Sequence, residues 1–107
     1  MPFAHPAEQR LAELFDSYGI RWEYEPTTFV LATDAEGRPT SAFTPDFYLP
    51  DFDLYVELTT LRQPLVTRKH RKLRALAALR PDVRVKMLYR RDVERLAAKY
   101  GLGSLVA

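Results

Sequence analysis

A length of 107 residues, with 47% hydrophobic and 28% charged side chains, fits one small globular domain over residues 1–107 and leaves no room for a second, regulatory one. The chain has no cysteine, which excludes disulfides, thiolate catalysis and Cys-ligated metal or iron–sulfur sites. Net charge is only +2, no apolar run approaches the roughly 18 residues of a membrane helix, and the N-terminus lacks a signal-peptide pattern, so a cytoplasmic protein without membrane contact is expected.

Pro6 suits the first turn of a helix, where a missing N–H costs nothing. Leu11, Leu14, Phe15 and Tyr18 follow at helical spacing and Gly19 is a stop signal, which predicts a helix over 6–18. Arg21 to Glu25 alternate charged and aromatic side chains, the period of a half-buried strand, and Phe29 to Ala32 continue it beyond Pro26. After the turn-rich segment 34–39, one strand is expected over 41–48 and another over 54–59, joined by the turn Pro50-Asp51-Phe52-Asp53. A second helix is expected over 66–80, with Val66, Leu73, Leu76 and Ala77 as its apolar stripe. Val83, Val85, Met87 and Tyr89 then alternate as a strand interrupted by Leu88. Asp92 is placed as the cap of a third helix carrying Val93, Leu96, Ala97 and Tyr100, with Gly101 as its stop and a tail after it. The order helix, three strands, helix, strand, helix implies an α/β domain with a mixed sheet flanked by helices.

Charge is unevenly spread. Residues 62–74 hold Arg62, Arg68, Lys69, Arg71, Lys72 and Arg74 and no acid, while the remaining chain has ten basic against fourteen acidic residues. A basic helix beside an acidic remainder suits a polyanion partner, and equally a solvated helix face.

The turn at Pro50–Asp53 sets a register. If those four residues form the loop, Leu49 pairs with Leu54 and Asp46 falls opposite Glu57, with Cβ atoms roughly 5 Å apart. Leu54, Val56 and Leu58 then face one side of the strand, and Tyr55, Glu57 and Thr59 the other. Two carboxylates so placed repel each other unless a cation joins them. Their oxygens, with the Leu58 carbonyl between Glu57 and Thr59, suit a hard ion such as Mg²⁺ or Mn²⁺. An exposed acidic cross-strand pair with no ligand would leave the same pattern.

Pro45-Asp46, ten further residues and then Glu57-Leu58-Thr59 resemble the signature of the PD-(D/E)XK nucleases, and the element order over about residues 6–90 resembles their restriction-endonuclease-like α-β-β-β-α-β core. The resemblance implies that Asp46 and Glu57 bind metal, that Glu8 on the first helix adds a further acid, and that Gln63 matches a glutamine found after the motif in some branches. The second Pro-Asp, Pro50-Asp51, belongs to the turn. The family's motif lysine is absent: Thr59 stands in its place and cannot supply its charge. Some members recruit a lysine from the following helix. On the wheel of that helix Lys69 lies at the edge of the core-facing side, whereas Lys72 lies about 100° from the stripe, so Lys69 is the candidate.

These readings imply a metal-dependent nuclease acting on DNA, with Asp46, Glu57, Lys69, Glu8 and Gln63 at the chemical centre, and a homodimer in keeping with other small cores of this kind. Arg68, Arg71, Lys72 and Arg74 would hold the phosphate backbone. The alternative, favoured by Thr59, is a nuclease-fold module without catalysis that binds nucleic acid or protein. Trp22, Tyr24, Phe43 and Phe47 read as packing rather than a base-stacking platform. His70 reads as a surface histidine and His5 as no ligand. The chain has no phosphate-cradling Gly-rich loop.

Overall fold

The computed structural model describes residues 3–59 and 63–99, excepting the side chains of residues 63–65, 96, 97 and 99. The side chains of Leu96 and Ala97, together with Arg62, Tyr100, Gly101 and the expected tail, lie outside that description. The first helix, α1, runs over Pro6–Ser17. His5 caps it, its Nδ1 accepting the Ala7 N–H at 3.0 Å. At the other end Gly19 adopts φ +67, and the N–H groups of Gly19 and Ile20 donate to the carbonyls of Asp16 and Phe15. This is a Schellman closure, which needs a left-handed residue at the position glycine occupies. Among the described residues no helix is long and apolar enough to cross a membrane.

The strands are β1 (Glu23–Tyr24), β2 (Phe29–Thr33), β3 (Pro39–Phe43), β4 (Phe47–Leu49), β5 (Leu54–Thr59) and β6 (Val85–Tyr89). The single strand expected over 41–48 is two strands in different sheets. β3 pairs with β2 in a bulged two-stranded sheet, and β4 joins a four-stranded mixed sheet of order β1-β4-β5-β6. Fully buried Pro45 sits at the break. Proline has no N–H to extend a ladder, so the chain leaves one sheet there and enters the other. The three strands expected before the second helix are therefore five short strands, of which β1, β4 and β5 belong to the main sheet.

The β4–β5 hairpin has the expected register, Leu49 opposite Leu54, Tyr48 opposite Tyr55 and Phe47 opposite Val56. Its loop is a 3-10 turn over Pro50–Phe52 closed by Asp53 in the left-handed region. β6 then pairs parallel with β5, Glu57 beside Met87 and Thr59 beside Tyr89. A parallel pair needs a crossover, and here it is α2 (Gln63–Leu79), which starts three residues earlier than the apolar stripe indicates. α3 (Arg90–Lys99) follows β6 directly. Asp92 is not its cap but sits in the first turn, its carboxylate reaching back to the Tyr89 N–H at 2.8 Å.

Two apolar layers cover the sheet. On one face Val56, Leu58, Phe47 and Leu49 pack on Leu11, Leu14 and Phe15 of α1 and Val93 of α3. Phe47 is fully buried, with the rings of Phe15, Trp22 and Tyr24 5.5–5.6 Å from its own. On the other face Tyr55 and Val85 pack on Leu73 and Leu76 of α2 and on Phe29 and Phe43 of the β2–β3 hairpin. Leu88 is no interruption: it belongs to the α1 layer while Val85 belongs to the α2 layer, as suits a parallel strand covered on both sides. Ala77, assigned to the stripe of α2, is exposed. Removing it from the stripe moves the centre of the buried face toward Lys69.

Candidate active site

Asp46 and Glu57 are both buried, at 7% and 5% exposure, although carboxylates are almost never buried without partners. The hairpin supplies those partners reciprocally. Asp46 N–H donates to Glu57 Oε1 at 3.0 Å, and Leu58 N–H donates to Asp46 Oδ2 at 2.8 Å. The Asp46 carbonyl accepts the Glu25 N–H at 2.8 Å, which ties this residue to the end of β1 as well. Asp46 lies one residue before the ladder of β4, so its N–H can turn to a side chain instead of to a neighbouring strand.

Lys69 approaches from α2. Its Nζ is 2.6 Å from Glu57 Oε2 and donates to the Leu58 carbonyl at 3.3 Å. The sequence wheel put Lys69 at the edge of the core-facing side, and its side chain is only 14% exposed. Glu57, Lys69, Arg68 and Lys72 line one wall and floor of a pocket of about 290 Å³, whose other wall is Ala42, Phe43 and Thr44 from the end of β3. Lys72 Nζ donates to the Ala42 carbonyl at 3.0 Å and fastens α2 to that wall.

Burial pushes the Asp46 carboxyl up to about 8, helped by the charges of Glu57 and Glu8 and opposed by the Leu58 N–H and Lys69. Burial also raises Glu57, with the ion pair to Lys69 pulling it back. Both shifts run toward the protonated form, so additional positive charge or a proton would suit the site. Its donors to a cation are all oxygens: the two carboxylates and the Leu58 carbonyl. That set fits a hard divalent ion better than a transition metal that prefers nitrogen or sulfur. Among the described residues no three Asp, Glu, His or Cys side chains are grouped as a metal cage, so a main-chain carbonyl is needed to complete a three-point protein contribution.

The remaining sequence candidates fall in different places. Glu8 is buried in the first turn of α1, where its Oε1 accepts the Tyr24 hydroxyl at 2.6 Å and the Ala4 N–H at 3.1 Å. Burial and this bond raise the Tyr24 phenol to about 12. Glu8 is thus bonded to Tyr24 and Ala4, and no hydrogen bond joins it to Asp46 or Glu57 among the described residues. The side chain of Gln63 lies outside the described ones. Arg68 stands at the pocket rim, whereas Arg71 and Arg74 are exposed and take no part in its lining. His70 is half-buried, its Nε2 3.2 Å from the Tyr89 hydroxyl. Thr59 is 2% exposed, and among the described residues its Oγ1 has no hydrogen-bond partner.

Sequence reasoning missed Thr44, Ala42 and Tyr24. Thr44 had a visible signal, since it directly precedes the Pro45-Asp46 pair; the reach of Tyr24 to Glu8 had none. A larger cleft, about 540 Å³, lies between Gly19–Glu23 and Pro50. Of its polar side chains, Trp22 donates to Asp16, and Arg21 is paired with Asp51 beside the cleft. Comparison of the chain with models of protein families, with curated proteins and with solved structures found no match.

Proposed function

We propose that this protein is a divalent-metal-dependent nuclease that hydrolyses phosphodiester bonds in DNA, built on a restriction-endonuclease-like core. The observation that carries the reading is buried Glu57, bonded to buried Asp46 of the same hairpin and 2.6 Å from Lys69 of the following helix, on a pocket edged by Arg68 and Lys72. Asp46, Glu57 and the Leu58 carbonyl would hold Mg²⁺ or Mn²⁺, which when bound lowers the pKa of a water and offsets charge on the scissile phosphate. The chain's own residues do the rest. The hairpin fixes the two carboxylates by backbone bonds, so they pay little reorganisation when charge develops. Lys69 takes the task that Thr59 cannot perform and orients the attacking water. Arg68 and Lys72 hold the phosphate next to it, with Arg71 and Arg74 reaching flanking phosphates from the outward face of α2.

The test is cleavage of plasmid and oligonucleotide DNA with Mg²⁺ or Mn²⁺. Asp46→Ala and Glu57→Ala should each lower the rate by at least about a hundredfold, the scale for losing one charge-stabilising group, with circular dichroism unchanged. No cleavage of any DNA or RNA by the wild type, with nucleic-acid binding intact, would overturn the enzyme reading. It would favour a nuclease-fold interaction module instead. The observation on that side is that Lys69 already neutralises Glu57 with good geometry, which a purely structural ion pair would also do.

A further inference from the structure

The ammonium of Lys69 stands between Glu57 Oε2 and the Leu58 carbonyl, at 2.6 and 3.3 Å. Those are two of the three oxygens through which a hard cation would be held. A Mg²⁺ ion needs its ligand oxygens at about 2.0–2.1 Å, so it would have to enter the same gap. Both cations cannot occupy it, and like charges repel at that separation. Each carboxylate also accepts a backbone N–H, Glu57 from Asp46 and Asp46 from Leu58, so neither is placed by the ammonium alone. Beside the gap lies the pocket of about 290 Å³ lined by Thr44, Arg68 and Lys72, into which a flexible four-carbon stem can swing.

We infer that Lys69 is the counter-cation of the metal-free site, and that a divalent ion binds by displacing it into the pocket. The inference rests on reading Asp46, Glu57 and Leu58 as the metal ligands. It gives Lys69 two positions. In the first it neutralises Glu57 and prevents the carboxylates from repelling each other. In the second it lies next to the bound phosphate, on the substrate side. Metal affinity is then set partly by the ion pair that must be broken, which for a buried pair is costly.

The experiment is Mg²⁺ and Mn²⁺ binding by calorimetry to the wild type, Lys69→Met and Lys69→Gln at alkaline pH, where protons compete little for the carboxylates. Loss of the competing ammonium should tighten divalent binding by about tenfold in both variants, while cleavage falls. The glutamine variant keeps a donor toward the Leu58 carbonyl and serves if the methionine variant does not fold. A ¹⁵N-lysine spectrum of the wild type needs no substitution: of the four lysines, the ion-paired ammonium should shift on adding Mg²⁺. Equal or weaker metal binding in both variants, or no shift of that resonance under saturating Mg²⁺, overturns the displacement and leaves the metal site standing. Tighter binding in the variants with no cleavage by the wild type supports displacement and overturns the nuclease reading. No divalent binding by any form overturns both.

Discussion

At the scale of single residues, the site is governed by the cost of burying charge. Asp46 is the clearest case, raised to about 8 first by burial and then by the charge of Glu57. An acid whose folded-state value lies above its unfolded one binds more protons when folded, so stability falls as pH rises. The metal-free protein should therefore lose stability between about pH 4 and pH 8, the interval between the ordinary aspartate value and the raised one. Asp46→Asn should flatten that slope, and saturating Mg²⁺ should do the same in the wild type. Thermal melts across pH 5–9 check this. A wild-type melting temperature that rises steadily over that range would contradict it. Half-buried Asp34 and exposed Asp51 and Asp82 are held down by their arginine or backbone partners. Their contribution runs in the opposite sense and falls below this window.

At the scale of elements, α2 decides what the pocket meets. Arg68 lines the pocket, and Arg74, six residues on, points about 120° away by the helical repeat. Arg68→Ala should weaken duplex DNA binding and reduce the slope of log affinity against log salt by about one, the signature of one lost phosphate contact. Arg74→Ala should do less on both counts, measured by fluorescence anisotropy over a salt series. Equal effects would mean that DNA lies across the outer face of α2 and not at the pocket. The β4–β5 register was legible in the sequence because the turn length and the period-two pattern agree, and that register alone put Asp46 with Glu57. Lys69 was legible from helical spacing, although Ala77 pulled the apparent stripe away from it. The break at Pro45 was printed in the chain, but the apolar residues on both sides masked it as one strand. Asp92 reads as the cap from its residue type, and nothing in the sequence shows that β6 runs straight into α3. The partner of Glu8 was not legible, because the contact with Tyr24 depends on how α1 lies across β1.

At the scale of the whole molecule, two layers of different character enclose one sheet. The α1 layer is centred on Phe47, which has no exposed surface and meets Phe3, Phe15, Trp22 and Tyr24. Phe47→Ala should cost about 3–5 kcal/mol, the usual range for emptying a buried aromatic position, and lower the melting temperature by on the order of 15 °C or more. Val30→Ala, at a strand position 48% exposed, should stay within about 0.5 kcal/mol. Denaturant titration of the two variants gives the comparison, and a Phe47→Ala loss under 1 kcal/mol would mean that this layer can collapse around the gap.

The α2 layer has no such centre, because part of it is the β2–β3 hairpin, a sheet of its own that supplies Ala42, Phe43 and Thr44 to the pocket wall. Glu57 stands on the other sheet, and Asp46, just before β4, is bonded to β5 through Glu57 and Leu58. The chain thus separates the hairpin that holds the carboxylates from the one that walls the pocket. Selection can lengthen, shorten or recolour the turn at 34–38 and the strands around it without shifting the register at Leu49 and Leu54. Descendants of such a chain would diverge first in the pocket wall and last in the bonds between Asp46, Glu57 and Leu58.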